Sequence, residues 1–136
     1  MRVWVVDDEK CIADTLTIIL RNSGHEVSSF YDAQSALEAV ASGCPELLIS
    51  DISMPGMSGV ELAMHVCESY PACKILLVSG QAATHNMLGE FQGKGYNVEV
   101  LVKPVHPAEL LARIAGMGES EAIEADGGDQ SCMGGI

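Results

Sequence analysis

The stretch Leu47-Leu48-Ile49-Ser50-Asp51 is a short apolar run that ends in a carboxylate. Continuous apolar runs of this length are typical of parallel strands that are buried on both faces. Three further runs, at 3–6, 75–78 and 100–102, have the same form, and they lead into Asp7-Asp8, Ser79 and Lys103-Pro104. Because ligand sites in open α/β sheets lie at the carboxyl ends of the strands, the four runs predict one shared site.

Between the runs, apolar residues recur at helical spacing, as at Ile12, Leu16 and Ile19. Strands are predicted near residues 2–6, 26–30, 46–51, 73–79 and 98–102, with helices between them and a last helix from about Pro107. The segment 82–97 has helical spacing that is weakened by three glycines. We therefore expect an α/β fold, a flavodoxin-like doubly wound five-stranded parallel sheet of order 2-1-3-4-5 with five helices. That order places Asp7 and Asp8 beside Asp51.

Composition limits the classes of function. The net charge of −12 argues against direct binding to nucleic acid or to anionic membranes, which need basic residues. No apolar stretch approaches the length of a membrane span, and the N-terminus lacks the pattern of a signal peptide, so a cytoplasmic location is expected. The five cysteines are scattered without metal-site spacing, which predicts reduced thiols in packing roles.

The chain is expected to contain one folded domain, residues 1–117, followed by an acidic, glycine-rich, disordered tail at 118–136. The tail has five acidic residues and no basic ones. Such a composition cannot bury enough apolar surface to offset the entropy of ordering it.

The residues at the strand ends suggest phosphoryl chemistry. Two carboxylates about 5 Å apart repel by roughly 3 kcal/mol at an effective dielectric constant of about 20. Three of them therefore need counter-charges, which Lys103 and a hard divalent cation, Mg²⁺ or Mn²⁺, would supply. Asp51, at a strand end, is the natural nucleophile. The Ser79 hydroxyl would donate a hydrogen bond to a phosphoryl oxygen.

With these residues in place, the sequence resembles the receiver domain of two-component response regulators. The resemblance covers about residues 1–117. It rests on four stretches: Val5-Val6-Asp7-Asp8-Glu9, Asp51-Ile52-Ser53-Met54-Pro55-Gly56-Met57-Ser58-Gly59, Leu77-Val78-Ser79-Gly80 and Lys103-Pro104. It implies a signalling domain that catalyses only its own phosphotransfer and autodephosphorylation.

The resemblance also implies a role for each site residue. Asp51 would accept a phosphoryl group from a phosphohistidine of a sensor histidine kinase or a histidine phosphotransfer protein. Asp8 and Asp51 would bind Mg²⁺ directly, Asp7 would help through water, and the Ser53 carbonyl would complete the protein ligands. Lys103 would pair with the phosphoryl group, and the peptide bond between Lys103 and Pro104 would be cis.

Further implied roles concern switching. Ser79 would move toward the phosphoryl group and carry the signal to a downstream protein target, and Gly80 would leave the nucleophile accessible. Ser53 and Gln81 would tune the lifetime of the phosphorylated state. Val100 departs from the family, which usually has an aromatic residue there, so the aromatic part of the usual switch is in doubt.

Two other functions stay open at this point. One is a phosphatase-like enzyme with an aspartyl-phosphate intermediate, although Asp51-Ile52-Ser53-Met54 lacks the motif of the haloacid-dehalogenase class. The other is a pseudo-receiver that binds partners without being phosphorylated. The sequence leaves undecided whether phosphorylation drives dimerisation and whether an output domain belongs to the same protein.

Overall fold

A five-stranded parallel sheet organises residues 1–105. The computed structural model describes residues 1–80 and 95–126, with side chains as far as residue 116. The strands are β1 (Arg2–Val6), β2 (Glu26–Phe30), β3 (Leu47–Asp51), β4 (Lys74–Ser79) and β5 (Val98–Val102). All neighbours are parallel, and the order is β2-β1-β3-β4-β5, which confirms the predicted topology.

Three helices connect the first four strands: α1 (Lys10–Asn22), α2 (Ala33–Val40) and α3 (Gly59–Ser69). A second compact unit begins at His106 and contains α4 (Pro107–Asp126). The helix expected within 82–97 falls largely on residues 81–94, which lie outside the described part. None of the described helices combines the length and apolar character needed to cross a bilayer.

Local sequence sets where the helices begin. Asp32 caps α2 by accepting a hydrogen bond from the Ser35 N–H at 2.6 Å. Ser58 caps α3 in a reciprocal arrangement, in which the Glu61 N–H donates to its hydroxyl at 3.2 Å and the Ser58 N–H donates to the Glu61 carboxylate at 3.0 Å. Such caps satisfy N–H groups that a helix leaves unpaired.

The central strands are buried at every position, as their apolar runs predicted. Leu48, Ile75 and Leu77 pack in one cluster with residues of α2 and α3. Because side chains alternate along a strand, Ile49 and Leu76 point to the other face. Helix α1 packs against β1 and β2. The central strands are therefore buried, and the carboxyl edge of the sheet carries the polar residues.

Helix α4 continues past residue 117, the predicted end of the folded domain. Glutamate and alanine, which are strong helix formers, make up most of residues 119–125. Residues 127–136 lie outside the described part. The predicted limits of the domain and of the disordered tail stay predictions.

Candidate functional site

The polar residues that follow the strands meet at one edge of the sheet. Strands β1 and β3 are direct neighbours, with Val6 opposite Ser50, so the residues that follow them come together. One carboxylate oxygen from each of Asp7, Asp8 and Asp51 lies within 4.8 Å of the other two. The structure thus brings together the three acids that the sequence placed at this edge.

Lys103 approaches the same carboxylates from β5. Its Nζ lies 3.3 Å from Asp51 Oδ2, and the Asp51 side chain is buried. The Lys103 N–H donates to the carbonyl of Ser79 at 2.7 Å, which ties the residue to the end of β4. The peptide bond between Lys103 and Pro104 is cis, as the resemblance implied.

Asp7 is the most buried of the three acids, with 3% of its surface exposed. Its Oδ1 accepts a hydrogen bond from the Glu9 N–H at 2.9 Å. Burial raises the pKa of Asp7, and the carboxylates of Asp51 and Asp8 raise it further, against the Glu9 hydrogen bond and the Lys103 charge, which lower it. The three carboxylates of Asp7, Asp8 and Asp51 thus lie near the single positive charge of Lys103.

A cavity of about 360 Å³ opens above these groups and is lined by Asp8, Glu9, Asp51, Ser53, Gly80 and Lys103. Asp7 and Ser79 do not line it; both are buried at the strand ends. Glu9 is a lining residue to which sequence analysis gave no role, although it follows the acidic pair directly in Asp7-Asp8-Glu9.

The loop after β3 holds Asp51 in place by backbone contacts. The Ile52 N–H donates to Val78 O at 3.0 Å and extends the pairing with β4, and the Gly59 N–H donates to Ile52 O at 2.9 Å. A Cβ on Gly59 would collide with the Asp51 carbonyl oxygen and would lie 2.9 Å from Asp51 C and Ser50 Oγ. Sequence analysis quoted Gly59 but missed this role, because the close approach appears only once α3 is packed on β3.

The residues linked to switching differ in where they lie. Ser79 ends β4 and is buried beside the site, whereas Gln81 lies outside the described residues. Val100 pairs with Leu77 in the sheet and packs, half-buried, against the apolar cluster that contains α2 and α3. Val100 therefore packs beside the apolar cluster and does not line the cavity.

The donor set fits a hard divalent cation. Its groups are carboxylate oxygens, which Mg²⁺ and Mn²⁺ prefer over nitrogen or sulfur ligands. They are close enough to share one ion. Burial is the main cause of the raised pKa of Asp7, and the carboxylates of Asp51 and Asp8 add to it, so a bound cation would relieve their repulsion. Asp7, Asp8 and Asp51 are the side chains that would hold the ion.

Solved structures of similar proteins share this fold. A CheY-like receiver domain protein from Methanospirillum hungatei is 28% identical, with a TM-score of 0.80 over 90% of this chain and 97% of that one. The response regulator TrrA from Thermotoga maritima, solved in complex with Mg²⁺ and BeF, is 30% identical, with a TM-score of 0.76 over 85% and 97%. NtrX from Brucella abortus is 26% identical, with a TM-score of 0.78 over 92% of this chain and 28% of NtrX.

Residues 3–115 match the family described as the response regulator receiver domain. Members of this family are signalling domains of two-component systems rather than conventional enzymes. They bind Mg²⁺ in an acidic pocket and interact with histidine kinases, phosphotransfer proteins and effector domains. The match extends over most of the chain, and the fold agrees with it in strand order and direction. This protein therefore belongs to the family of response regulator receiver domains.

Proposed function

We propose that Asp51 accepts a phosphoryl group from a phosphohistidine of a sensor histidine kinase or histidine phosphotransfer protein, in the presence of Mg²⁺. The phosphorylated domain then binds a downstream protein target with an affinity different from that of the unphosphorylated domain. One observation carries the proposal: the Asp51 carboxylate lines an open cavity, 3.3 Å from the Lys103 ammonium and beside two further carboxylates.

The transfer needs a nucleophile that is fixed in position. In the proposed step, an Asp51 oxygen forms a bond to phosphorus while the bond from phosphorus to the donor imidazole nitrogen breaks, and the imidazole takes a proton from solvent. Phosphoryl transfer depends mainly on alignment and charge stabilisation. The hydrogen bond from Ile52 N–H to β4 and the contact with Gly59 supply alignment, because both hold the peptide group that follows Asp51.

The charges at the site explain why a cation is part of the proposal. Three carboxylates face one ammonium group, and an incoming phosphoryl group adds further negative charge. When bound, Mg²⁺ supplies the positive charge that neutralises the acids and the phosphoryl oxygens. Lys103 is placed to transfer its contact from Asp51 to a phosphoryl oxygen, since its ammonium group already lies at the nucleophile.

Ser79 is proposed as the residue that carries the signal onward. It ends the strand next to β3, and its carbonyl is hydrogen-bonded to Lys103. A hydroxyl at this position can donate to a phosphoryl oxygen on Asp51. Because Val100, packed against the apolar cluster, stands in place of an aromatic residue, the proposed switch depends on Ser79 rather than on rotation of a ring.

Labelling by a small phosphodonor tests the acceptor directly. The intact protein is incubated with acetyl phosphate and Mg²⁺, and added phosphoryl groups are counted by mass spectrometry. We expect one group on the wild type, none on Asp51→Asn, and one on the control Asp14→Asn, which makes the same substitution on an exposed aspartate of α1.

Three results would overturn the proposal. Undiminished labelling of Asp51→Asn would exclude Asp51 as the acceptor. Multiple turnovers of diverse phosphate esters would support the phosphatase-like enzyme instead. Absence of labelling with acetyl phosphate and with a phosphorylated histidine phosphotransfer protein would support the pseudo-receiver.

A further inference from the structure

Glu9 is a cavity-lining residue to which the proposed phosphoryl transfer gives no role. It is exposed and lines the cavity together with Asp51 and Lys103. It lies outside the group formed by Asp7, Asp8 and Asp51, whose carboxylate oxygens lie within 4.8 Å of one another. Glu9 would therefore act on a group in the cavity through its charge, rather than as a further ligand shared with those acids.

The backbone fixes Glu9 at the start of α1. Its N–H donates to Asp7 Oδ1 at 2.9 Å, and its carbonyl accepts hydrogen bonds from the N–H groups of Ile12 and Ala13, both at 3.0 Å. Glu9 is the N-cap residue, a position from which a side chain commonly accepts a hydrogen bond from the first turn, but its own side chain makes no such bond. Its carboxylate is therefore not used to cap the helix.

The basic residue next to Glu9 in the chain is engaged outside the cavity lining. Lys10 Nζ lies 5.2 Å from the centre of the Tyr31 ring in a cation–π contact, and the Tyr31 hydroxyl donates to Asp14 Oδ1 at 2.8 Å. Of the described residues that line the cavity, only Lys103 is basic, and its ammonium group is already paired with the acceptor carboxylate. The charge of Glu9 therefore adds to the negative potential in the cavity.

We propose that Glu9 sets the charge preference of this cavity: it strengthens the binding of a divalent cation and slows transfer from phosphodonors according to their negative charge. The donor part rests on the proposed function, because it concerns transfer to Asp51. A sphere of 360 Å³ is about 9 Å across, so a group in the cavity lies within about one Debye length of the lining at about 0.1 M salt. At that distance in water, one unit charge changes a rate or binding constant of a singly charged group by about twofold.

Two small phosphodonors of different charge separate this effect from a change in reactivity. Acetyl phosphate is a dianion at pH 7, whereas phosphoramidate carries one net negative charge. In each transfer an Asp51 oxygen forms a bond to phosphorus, and acetate or ammonia leaves with the electron pair of the broken bond. Because Coulomb energy is proportional to charge, the factor by which Glu9 slows acetyl phosphate should be the square of the factor for phosphoramidate.

Calorimetry of Mg²⁺ binding tests the cation part without any phosphodonor. The full chain is titrated with magnesium chloride at low salt. We expect Glu9→Gln to bind Mg²⁺ about fivefold more weakly than the wild type, and Glu9→Asp, which keeps the charge, to stay within about twofold. Glu68→Gln makes the same change at an exposed position near the end of α3 and should bind like the wild type. High salt should shrink the effect of Glu9→Gln, which a merely structural role would not predict.

Labelling rates test the donor part. Second-order rate constants for labelling are measured with acetyl phosphate and with phosphoramidate, at a Mg²⁺ concentration that saturates each variant. Glu9→Gln should be labelled about fivefold faster than the wild type by acetyl phosphate and about twofold faster by phosphoramidate. Glu68→Gln should be labelled at the wild-type rate by both donors.

The two measurements distinguish failure of this inference from failure of the proposed function. The inference is overturned if Glu9→Gln binds Mg²⁺ as tightly as the wild type, or if the substitution changes labelling by the two donors by the same factor. If neither donor labelled the wild type, the proposed function would fail and the donor part would fall with it. The Mg²⁺ affinities would still decide whether Glu9 strengthens cation binding.

Discussion

Replacing Gly59 with alanine tests how the acceptor is held. Gly59 is the first residue of α3 and is buried against the backbone of Asp51 and the hydroxyl of Ser50. An added Cβ overlaps the Asp51 carbonyl oxygen. It also lies 2.9 Å from Asp51 C and from Ser50 Oγ, about 0.5 Å short of the 3.4 Å at which ordinary van der Waals contact begins. Because the obstacle is mainly backbone, a rotamer change cannot relieve it.

The magnitude follows from the competing effects. An alanine in a helix is ordinarily more stable than a glycine by up to about 1 kcal/mol. Forcing a methyl group into a packed site costs about 1–3 kcal/mol, so we expect Gly59→Ala to lower the free energy of unfolding. A 1 Å misplacement of a reacting group can cost about 100-fold in rate. Because the overlap with the Asp51 carbonyl oxygen is larger than the shortfall at the other two atoms, we expect phosphorylation of Asp51 to slow by at least about tenfold.

The assay measures the urea unfolding midpoint and the rate of labelling by acetyl phosphate with saturating Mg²⁺. Gly116→Ala is the matched control, because a Cβ there meets no atom within 4 Å. It lies inside α4, so the control should be as stable as the wild type or more so, and should be labelled at the wild-type rate. If Gly59→Ala were as stable as Gly116→Ala and labelled as fast, the steric explanation would be wrong.

Three further predictions concern the site and the helix that supports it. Lys103→Ala should slow labelling roughly 100-fold, the loss expected for one charge-stabilising donor, and a rate within a few-fold of wild type would contradict its role. Burial raises the pKa of Asp7 above 3.8, so its ionised form destabilises the metal-free fold at pH values above the folded pKa and has no such effect below pH 3.8. In EDTA, Asp7→Asn should therefore raise the free energy of unfolding at pH 7, and this gain should shrink toward pH 4. Mg²⁺ should stabilise the wild type more than the variant. If the variant were less stable than the wild type at pH 7 in EDTA, this explanation would be wrong. Ser58→Ala removes the cap of α3 and should cost about 1 kcal/mol by urea unfolding, and no loss would show that the cap is dispensable.

The sequence was sufficient to predict the sheet because its signals are local. Apolar runs marked four of the five strands, and each run led into a polar residue that marked its carboxyl end. Parallel order then placed Asp7 and Asp8 beside Asp51 without further information. The positions of these acids follow from topology alone, since adjacent parallel strands end at the same edge.

What could not be predicted depends on contacts between elements that are distant in the chain. The role of Gly59 requires the distance from α3 to the Asp51 backbone. That distance is not encoded in a local pattern. The inclusion of Glu9 in the cavity depends in the same way on how the chain turns after β1.

The sheet order also makes the two sides of the site mechanically unequal. The strand of Asp51 has a hydrogen-bonded neighbour on each side, whereas β5, which leads into Lys103, has one and lies at an edge. Strands with fewer partners open at lower free energy than central ones. Asp51 thus lies on the less flexible strand, and Lys103 follows the more flexible one. When an added charge displaces groups at the site, we expect β5 to move and β3 to stay in place.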